Sequence, residues 1–166
     1  MKLFEPYSLG KLRLQNRVVM APMTRSRAIG NVPNDLMAEY YGQRSSAGLI
    51  ITEGVAPSPN ALGYSRIPGG FSAAQTEGWK KITAAAHRGG AKIFMQQMHT
   101  GRISHPLNLP AGAEVVAPSA VKAAGQMWTD QSGMQDLPVP RALATGEIAG
   151  VIAEHVNTSK NAIAAG

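Results

Sequence analysis

The sequence of 166 residues contains no cysteine, and only 5% of its residues are aromatic. The absence of cysteine excludes disulfide scaffolds, thiolate zinc sites, iron–sulfur clusters and cysteine nucleophiles. No apolar run reaches the length of about eighteen residues that a membrane span needs. The first residues, Met1–Pro6, lack the long apolar core of a secretion signal. We therefore expect a cytoplasmic protein that has no membrane partner.

Basic residues outnumber acidic residues, but they are scattered along the sequence. Sixteen Lys and Arg residues against ten Asp and Glu residues give a formal net charge of +6. Nucleic-acid-binding proteins gather such residues into a patch or stripe. Here they stand singly or in pairs, such as Arg25 with Arg27 and Lys80 with Lys81. We predict no nucleic-acid partner.

The composition, 44% hydrophobic and 16% charged, is typical of a globular protein, and residues 1–166 are predicted to form a single domain segment.

Three short apolar runs predict buried strands, because each is bounded by Gly or Pro or is too short for a helix. The runs cover 17–21, 49–52 and 92–98. Before them, two shorter apolar stretches flank Gly10-Lys11, a pair that suits the type II′ turn of a β-hairpin over residues 7–14.

A helical pattern of apolar residues follows each of the three strands. The first helix is predicted to start at Pro33 and to stop at Gly48. The second starts at the capping box formed by Ser72 and Gln75. The third runs from about 145 to 165.

Alternating strands and helices predict an α/β fold with parallel strands joined by right-handed crossovers. Between the third strand and its helix, roughly forty-five residues show little periodicity, which is typical of a lid or of an excursion with its own small hairpin. In a parallel barrel the active site lies at the C-terminal ends of the strands. The residues that follow each apolar run are therefore the candidates for chemistry.

Four segments in this order resemble the Old Yellow Enzyme family, closest to its N-ethylmaleimide and pentaerythritol tetranitrate reductase branch. They are 17–25, 39–54, 63–69 and 99–105. The resemblance implies a (β/α)8 TIM barrel, of which this chain supplies the N-terminal hairpin and about the first three β/α units. It also implies FMN as cofactor, with NADPH or NADH as the hydride donor.

The activity that the resemblance implies is that of an FMN-dependent ene-reductase. The nicotinamide coenzyme reduces FMN, and hydride then passes from flavin N5 to the β-carbon of an activated alkene while a proton adds to the α-carbon. Enones, maleimides and nitroesters are the small-molecule substrates implied. The family's substrate-activating side chains, proton donor and phosphate-binding loops all follow the third strand unit, so the rest of the barrel is expected to be needed.

A second interpretation is a non-catalytic truncated or engineered half-barrel. Its outer strands would have open edges, and unpaired edges favour pairing with another chain. This interpretation predicts self-association into a homo-oligomer, or pairing with a complementary C-terminal barrel chain.

The first set of site residues is carried over by motif position. Ala21, Pro22, Met23 and Thr24 match the family's segment along the flavin, and Thr24 is the predicted catalytic residue, with its hydroxyl near flavin O4. A preorganised donor there favours negative charge on the reduced ring. Read without the motif, Thr24 is equally compatible with a residue that caps or turns the chain after Pro22.

Gly54 and Gln96 complete the predicted flavin contacts. Gly54 matches the position whose backbone amide faces the flavin edge, where a missing side chain permits close approach. Gln96 matches a glutamine whose amide pairs with the flavin pyrimidine, a task that needs a donor and an acceptor. The alternatives are an ordinary glycine at the strand end and a core amide with internal partners.

Tyr64 and Met98 are the predicted substrate-binding residues. Tyr64 either lines the cavity above the flavin or is a packing residue, with equal weight. Met98 stands where relatives often carry tryptophan, and its flexible thioether predicts a wider pocket. His99 and Arg102 are predicted to hold the third loop by hydrogen bonds. The histidines lack metal-ligand spacing, so no metal site is predicted.

Overall fold

The structure, a computed structural model, describes residues 1–166 throughout and begins with the predicted hairpin. Strand β1 (Tyr7–Leu9) pairs antiparallel with β2 (Leu12–Leu14). Gly10 has φ +57°, the positive value that the first central residue of a II′ turn requires. The predicted hairpin is therefore confirmed.

A three-stranded parallel sheet forms the centre of the fold. Its strands, in spatial order, are β3 (Val19–Met20), β4 (Leu49–Val55) and β5 (Lys92–Gln97). The predicted parallel pairing is confirmed in both strand pairs. Since all three strands run the same way, their C-terminal ends meet at one edge of the sheet.

Helix α1 (Asp35–Gly42) begins near the predicted position but ends earlier than predicted. Asn34 is its N-cap, and Pro33 lies just outside the helix. After the helix the chain continues in tight turns with i to i+3 hydrogen bonds. Gly48 is required for another reason than stopping the helix, because a Cβ there would overlap the backbone carbonyl oxygen of Asn16.

Helix α2 (Ala73–Arg88) confirms the predicted capping box. Ser72 Oγ accepts from the Gln75 backbone N–H at 3.2 Å, and Gln75 Oε1 accepts from the Ser72 N–H at 3.0 Å. Trp79 and Ile82 of α2 are buried in the same apolar core as α1 and the sheet. The two helices thus pack with one face of the sheet in a shared core.

The long excursion after β5 contains the expected small hairpin. Its strands are β6 (Val116–Ala117), β7 (Gln126–Thr129), β8 (Gly133–Asp136) and β9 (Arg141–Ala142). Strands β7 and β8 pair antiparallel, while β6 and β9 pair in parallel. Asn108 joins the excursion to the loop after β4, because its Nδ2 donates to the carbonyls of Gly63 and Trp128 at 2.9 and 2.8 Å.

Helix α3 (Ile148–Ala164) follows a 3-10 turn over Thr145–Glu147 and confirms the third predicted helix. Its buried anchor is Thr158, whose Oγ1 donates to the Pro57 carbonyl at 3.2 Å. No helix here has the length and apolar character that crossing a bilayer requires. Four large apolar residues of α3 are exposed instead of packed, namely Ile148, Ile152, Val156 and Ile163.

Candidate active site

The C-terminal edge of the sheet brings the predicted flavin-binding residues together. Gly54 and Gln96 are register partners across β4 and β5. Residues 21–25 leave β3 at the same edge, and the Arg25 backbone N–H donates to a side-chain oxygen of Glu53 at 3.3 Å. Three segments that are far apart in sequence therefore converge at the end of one sheet.

Two polar side chains at this edge have no partner within the chain. Thr24 and Gln96 are exposed, and neither the hydroxyl nor the carboxamide makes a hydrogen bond. Within residues 1–166, Gln96 therefore does not make the internal contacts of a core amide, and Thr24 caps no helix. Their free donors and acceptors suit a ligand that needs both kinds of group.

Gly54 lies under the side chain of Met98. A Cβ added to Gly54 would lie 2.6 Å from Met98 Cε and 3.2 Å from Met98 Cβ. Because a thioether side chain has three rotatable bonds, it can leave this space at low cost. Gly54 itself is buried, with Met98 in the place that its side chain would fill, while the two free polar side chains fit the edge of a flat, hydrogen-bonding ring such as flavin.

Tyr64 is half-buried and packs with Met98 against one small apolar cluster, which consists of Ala56, Ala61, Leu62 and Ile67. The structure thus brings the two predicted substrate-binding residues together. The packing interpretation of Tyr64 describes what is observed, and its role in lining a cavity stays a prediction.

Sequence reasoning gave no role to Glu53 and Tyr41, which form a buried pair beside this edge. Glu53 is only 1% exposed, and its Oε1 accepts from the Tyr41 hydroxyl at 3.3 Å. Burial raises the pKa of the Glu53 carboxyl, while hydrogen bonds from Arg25 and Tyr41 and the charge of Arg25 oppose the rise. Burial and the nearby Glu53 carboxyl raise the pKa of Tyr41. The available signal was a carboxylate placed directly after a buried apolar run.

His99 holds the loop after β5, as predicted, because its Nδ1 accepts from the Gly101 N–H at 3.0 Å. The prediction for Arg102 is wrong, since its exposed side chain makes no hydrogen bond. Thr100 holds the loop instead, because its Oγ1 donates to the Leu62 carbonyl at 2.8 Å. The His, Asp and Glu side chains form no group of three that could hold a metal ion.

His99 makes the stability of the chain depend on pH. Burial lowers the pKa of His99, and the ring of His155, stacked at 6.5 Å, lowers it further, while Glu154 opposes the change. As pH falls below about 6.5, the unfolded chain binds a proton that folded His99 resists. We therefore expect this contribution to the free energy of unfolding to be lost as pH falls through the lowered pKa. Urea denaturation of the wild type and His99→Asn over a pH series measures it.

In that series the His99→Asn variant is expected to lose less stability on acidification than the wild type. Asparagine keeps an acceptor for the Gly101 N–H but does not titrate. Equal acid dependence of the two proteins would contradict the assignment.

Comparison with known proteins identifies the family. Residues 2–166 match the family described as NADH:flavin oxidoreductase / NADH oxidase. The chain belongs to this family. A relative in Oryza sativa subsp. japonica, 12-oxophytodienoate reductase 7, is 40% identical over 167 residues, which cover 99% of this chain and 42% of the rice enzyme.

Two solved members of this flavin oxidoreductase family have the same fold over the whole chain. Morphinone reductase in complex with tetrahydroNAD superposes with a TM-score of 0.92 at 45% identity, covering 100% of this chain and 47% of the reductase. The Old Yellow Enzyme homologue NCR from Zymomonas mobilis gives a TM-score of 0.93 at 41% identity, covering 100% of this chain and 46% of the homologue.

The predicted family and fold class are thereby confirmed. The hairpin and the three β/α units are the N-terminal portion of an Old Yellow Enzyme (β/α)8 barrel, whose members use FMN with a nicotinamide coenzyme. The chain spans less than half the length of these relatives. The roles of Thr24, Gly54, Gln96, Tyr64 and Met98 stay predictions.

Proposed function

We propose that residues 1–166 supply one side of the FMN site in an NAD(P)H-dependent ene-reductase. The observation that carries this proposal is the pairing of Gly54 with Gln96 at the sheet edge where residues 21–25 leave β3. Activated alkenes such as enones and maleimides are the proposed substrates, and nitroesters are a further class.

Each residue at the edge has a proposed task. Ala21, Pro22 and Met23 lie along the flavin, and the free hydroxyl of Thr24 donates near O4. The Gln96 carboxamide pairs with the pyrimidine ring, using one donor and one acceptor. FMN, when bound, supplies the hydride transfer, while the protein orients it and tunes its electronics.

Tyr64 and Met98 are proposed to form part of the substrate wall. They pack against the same apolar cluster, so a change in one side chain alters the support of the other. Because methionine adapts its shape, this wall suits substrates of varied outline.

The uncovered surfaces of residues 1–166 support the proposal that further β/α units, in this polypeptide or in a complementary one, complete the barrel. Val19 and Phe94 of the sheet are exposed apolar residues. Beside the free edge of β5, a cleft of roughly 520 Å³ is lined by Phe94, Trp79 and Ile163 among others. A closed barrel has no such strand edges. Self-association of the chain is the alternative way to cover these surfaces.

The test is a single polypeptide in which residues 1–166 precede the part of morphinone reductase that this chain does not span, called here the fused protein. We expect the fused protein to hold FMN and to oxidise NADH in the presence of 2-cyclohexen-1-one. Size measurement of the chain by itself separates a monomer from self-association.

Thr24→Val in the fused protein is expected to lower the rate of flavin reduction by NADH about tenfold or more, because a preorganised donor is lost. Stopped-flow absorbance measures this rate. Thr145→Val is the matched control, because Thr145 is also exposed and its hydroxyl makes no hydrogen bond. Equal rates for the two variants would remove Thr24 from the proposed site.

A further inference from the structure

We propose that Glu53 and Tyr41 are positioning residues that fix the spacing between the segment of Thr24 and the strand end at Gly54. These are the two segments that the proposed function places against FMN, so the inference rests on that function. Neither Glu53 nor Tyr41 is proposed to touch the flavin.

A single carboxylate joins the two segments. Glu53 directly precedes Gly54 in β4, and its Oε2 accepts from the Arg25 backbone N–H at 3.3 Å. Arg25 in turn directly follows Thr24. The position of the Thr24 backbone relative to Gly54 is therefore set through one side chain.

A bulge in β4 aims this side chain. Thr52 and Glu53 together oppose a single residue of β5, because the register shifts between Ile51 and Gly54. Thr52 Oγ1 accepts from the Gln96 N–H at 3.0 Å, which ties the bulge to β5. Bulges of this kind re-aim side chains and recur beside active sites.

Tyr41 fixes the orientation of the carboxylate. Its hydroxyl accepts from the Glu53 N–H at 2.9 Å and donates to Glu53 Oε1 at 3.3 Å. The Tyr41 ring is fully buried beside Trp79, with ring centroids 6.4 Å apart. Both carboxylate oxygens are thus bonded, and the pair is anchored in the apolar core.

The side-chain oxygens of Glu53 make no hydrogen bonds other than those from Tyr41 and from the Arg25 backbone N–H. A buried carboxylate is costly unless its oxygens accept hydrogen bonds, and here the donors come from α1 and from the segment after β3. The guanidinium of Arg25 lies over the Tyr40 ring, 5.5 Å from its centroid, and forms no ion pair with Glu53. If position 53 served stability alone, an apolar side chain of similar size would cost less free energy to bury than a carboxylate.

The first arm of the test is amide hydrogen exchange of residues 1–166 without flavin. In Tyr41→Phe, the hydroxyl that orients Glu53 is lost, so we expect exchange at Arg25 to rise about tenfold while the α2 amides keep their protection. Glu53→Gln is the second variant. Its neutral amide offers one oxygen in place of two, and a hydrogen bond from the Arg25 N–H to that oxygen is weaker than one to a carboxylate, so the same selective rise is expected.

Tyr40→Phe is the matched control, because the neighbouring Tyr40 hydroxyl is buried without a hydrogen-bond partner. It is expected to leave exchange at Arg25 unchanged. A rise spread evenly over the whole chain, or no rise in Tyr41→Phe and Glu53→Gln, would overturn the inference.

The second arm measures the dissociation constant of FMN in the fused protein by flavin fluorescence. We expect Tyr41→Phe and Glu53→Gln to raise it about tenfold, and Tyr40→Phe to leave it unchanged. If all variants bind FMN equally tightly, the positioning role is overturned, while the proposed function is not affected. Failure of the unmutated fused protein to bind FMN contradicts the proposed function instead, and the exchange arm then decides whether the two segments are coupled.

Discussion

Trp79→Ala is expected to lower the free energy of unfolding by about 3–5 kcal/mol. Trp79 is 1% exposed and belongs to the apolar core shared by α1, α2 and the sheet. Its Nε1 donates to the Gly69 carbonyl at 3.0 Å, so alanine leaves both a cavity and a buried acceptor that has lost this donor. Small domains are stable by about 5–15 kcal/mol in total. Urea denaturation should therefore show a much lower midpoint.

Trp128→Ala is the matched control for this variant. Trp128 lies in β7, is 53% exposed, and its Nε1 reaches only an exposed carboxylate, that of Asp130. Its replacement is expected to change the free energy of unfolding by about 0.5 kcal/mol or less. Equal losses in the free energy of unfolding for the two tryptophan variants would contradict the assignment of Trp79 to the buried core.

Gly78→Ala is expected to destabilise the chain by about 1–3 kcal/mol, although alanine normally favours a helix. Gly78 lies in α2 against the N-terminal side of α1. A Cβ there would lie 2.5 Å from the Pro33 carbonyl oxygen and 3.0 Å from Pro33 Cβ. Backbone atoms cannot rotate away, so α1 and α2 must separate. Thermal and urea unfolding of the variant measure the loss.

Gly150→Ala is the control, and it is expected to stabilise the chain instead of destabilising it. Gly150 lies in α3, and a Cβ there would meet no atom within 4 Å. The variant is expected to gain about 0.5–1 kcal/mol from helix propensity alone. A Gly78→Ala variant that is as stable as the wild type, or that gains stability as Gly150→Ala does, would contradict the close packing of α1 on α2.

Elements that depend on local chemistry could be predicted from the sequence. The hairpin at Gly10, the capping box at Ser72 and the parallel strands all follow from turn residues, cap residues and short apolar runs. The end of α1 could not be predicted in this way. The sequence predicts Gly48 as a helix stop, whereas its missing side chain allows the close approach of Asn16, a contact between segments distant in sequence.

In the candidate site, too, local motifs could be predicted from the sequence, whereas a contact between distant segments could not. Motif positions after the strands predict Thr24, Gly54 and Gln96 as site residues, and the parallel sheet brings them to one edge. The pairing of Glu53 with Tyr41 was missed, because it depends on a one-residue bulge in β4, and periodicity carries no signal for a bulge. The error for Arg102 arose because a basic residue in a motif does not reveal whether its side chain finds an acceptor.

The visible absorption spectrum of the fused protein, taken after mixing with FMN and desalting, is the decisive measurement of FMN binding. We expect flavin absorbance to stay with the protein and NADH to bleach it. A fused protein that has the circular-dichroism spectrum of a folded barrel but elutes colourless would contradict the claim that residues 1–166 supply one side of an FMN site.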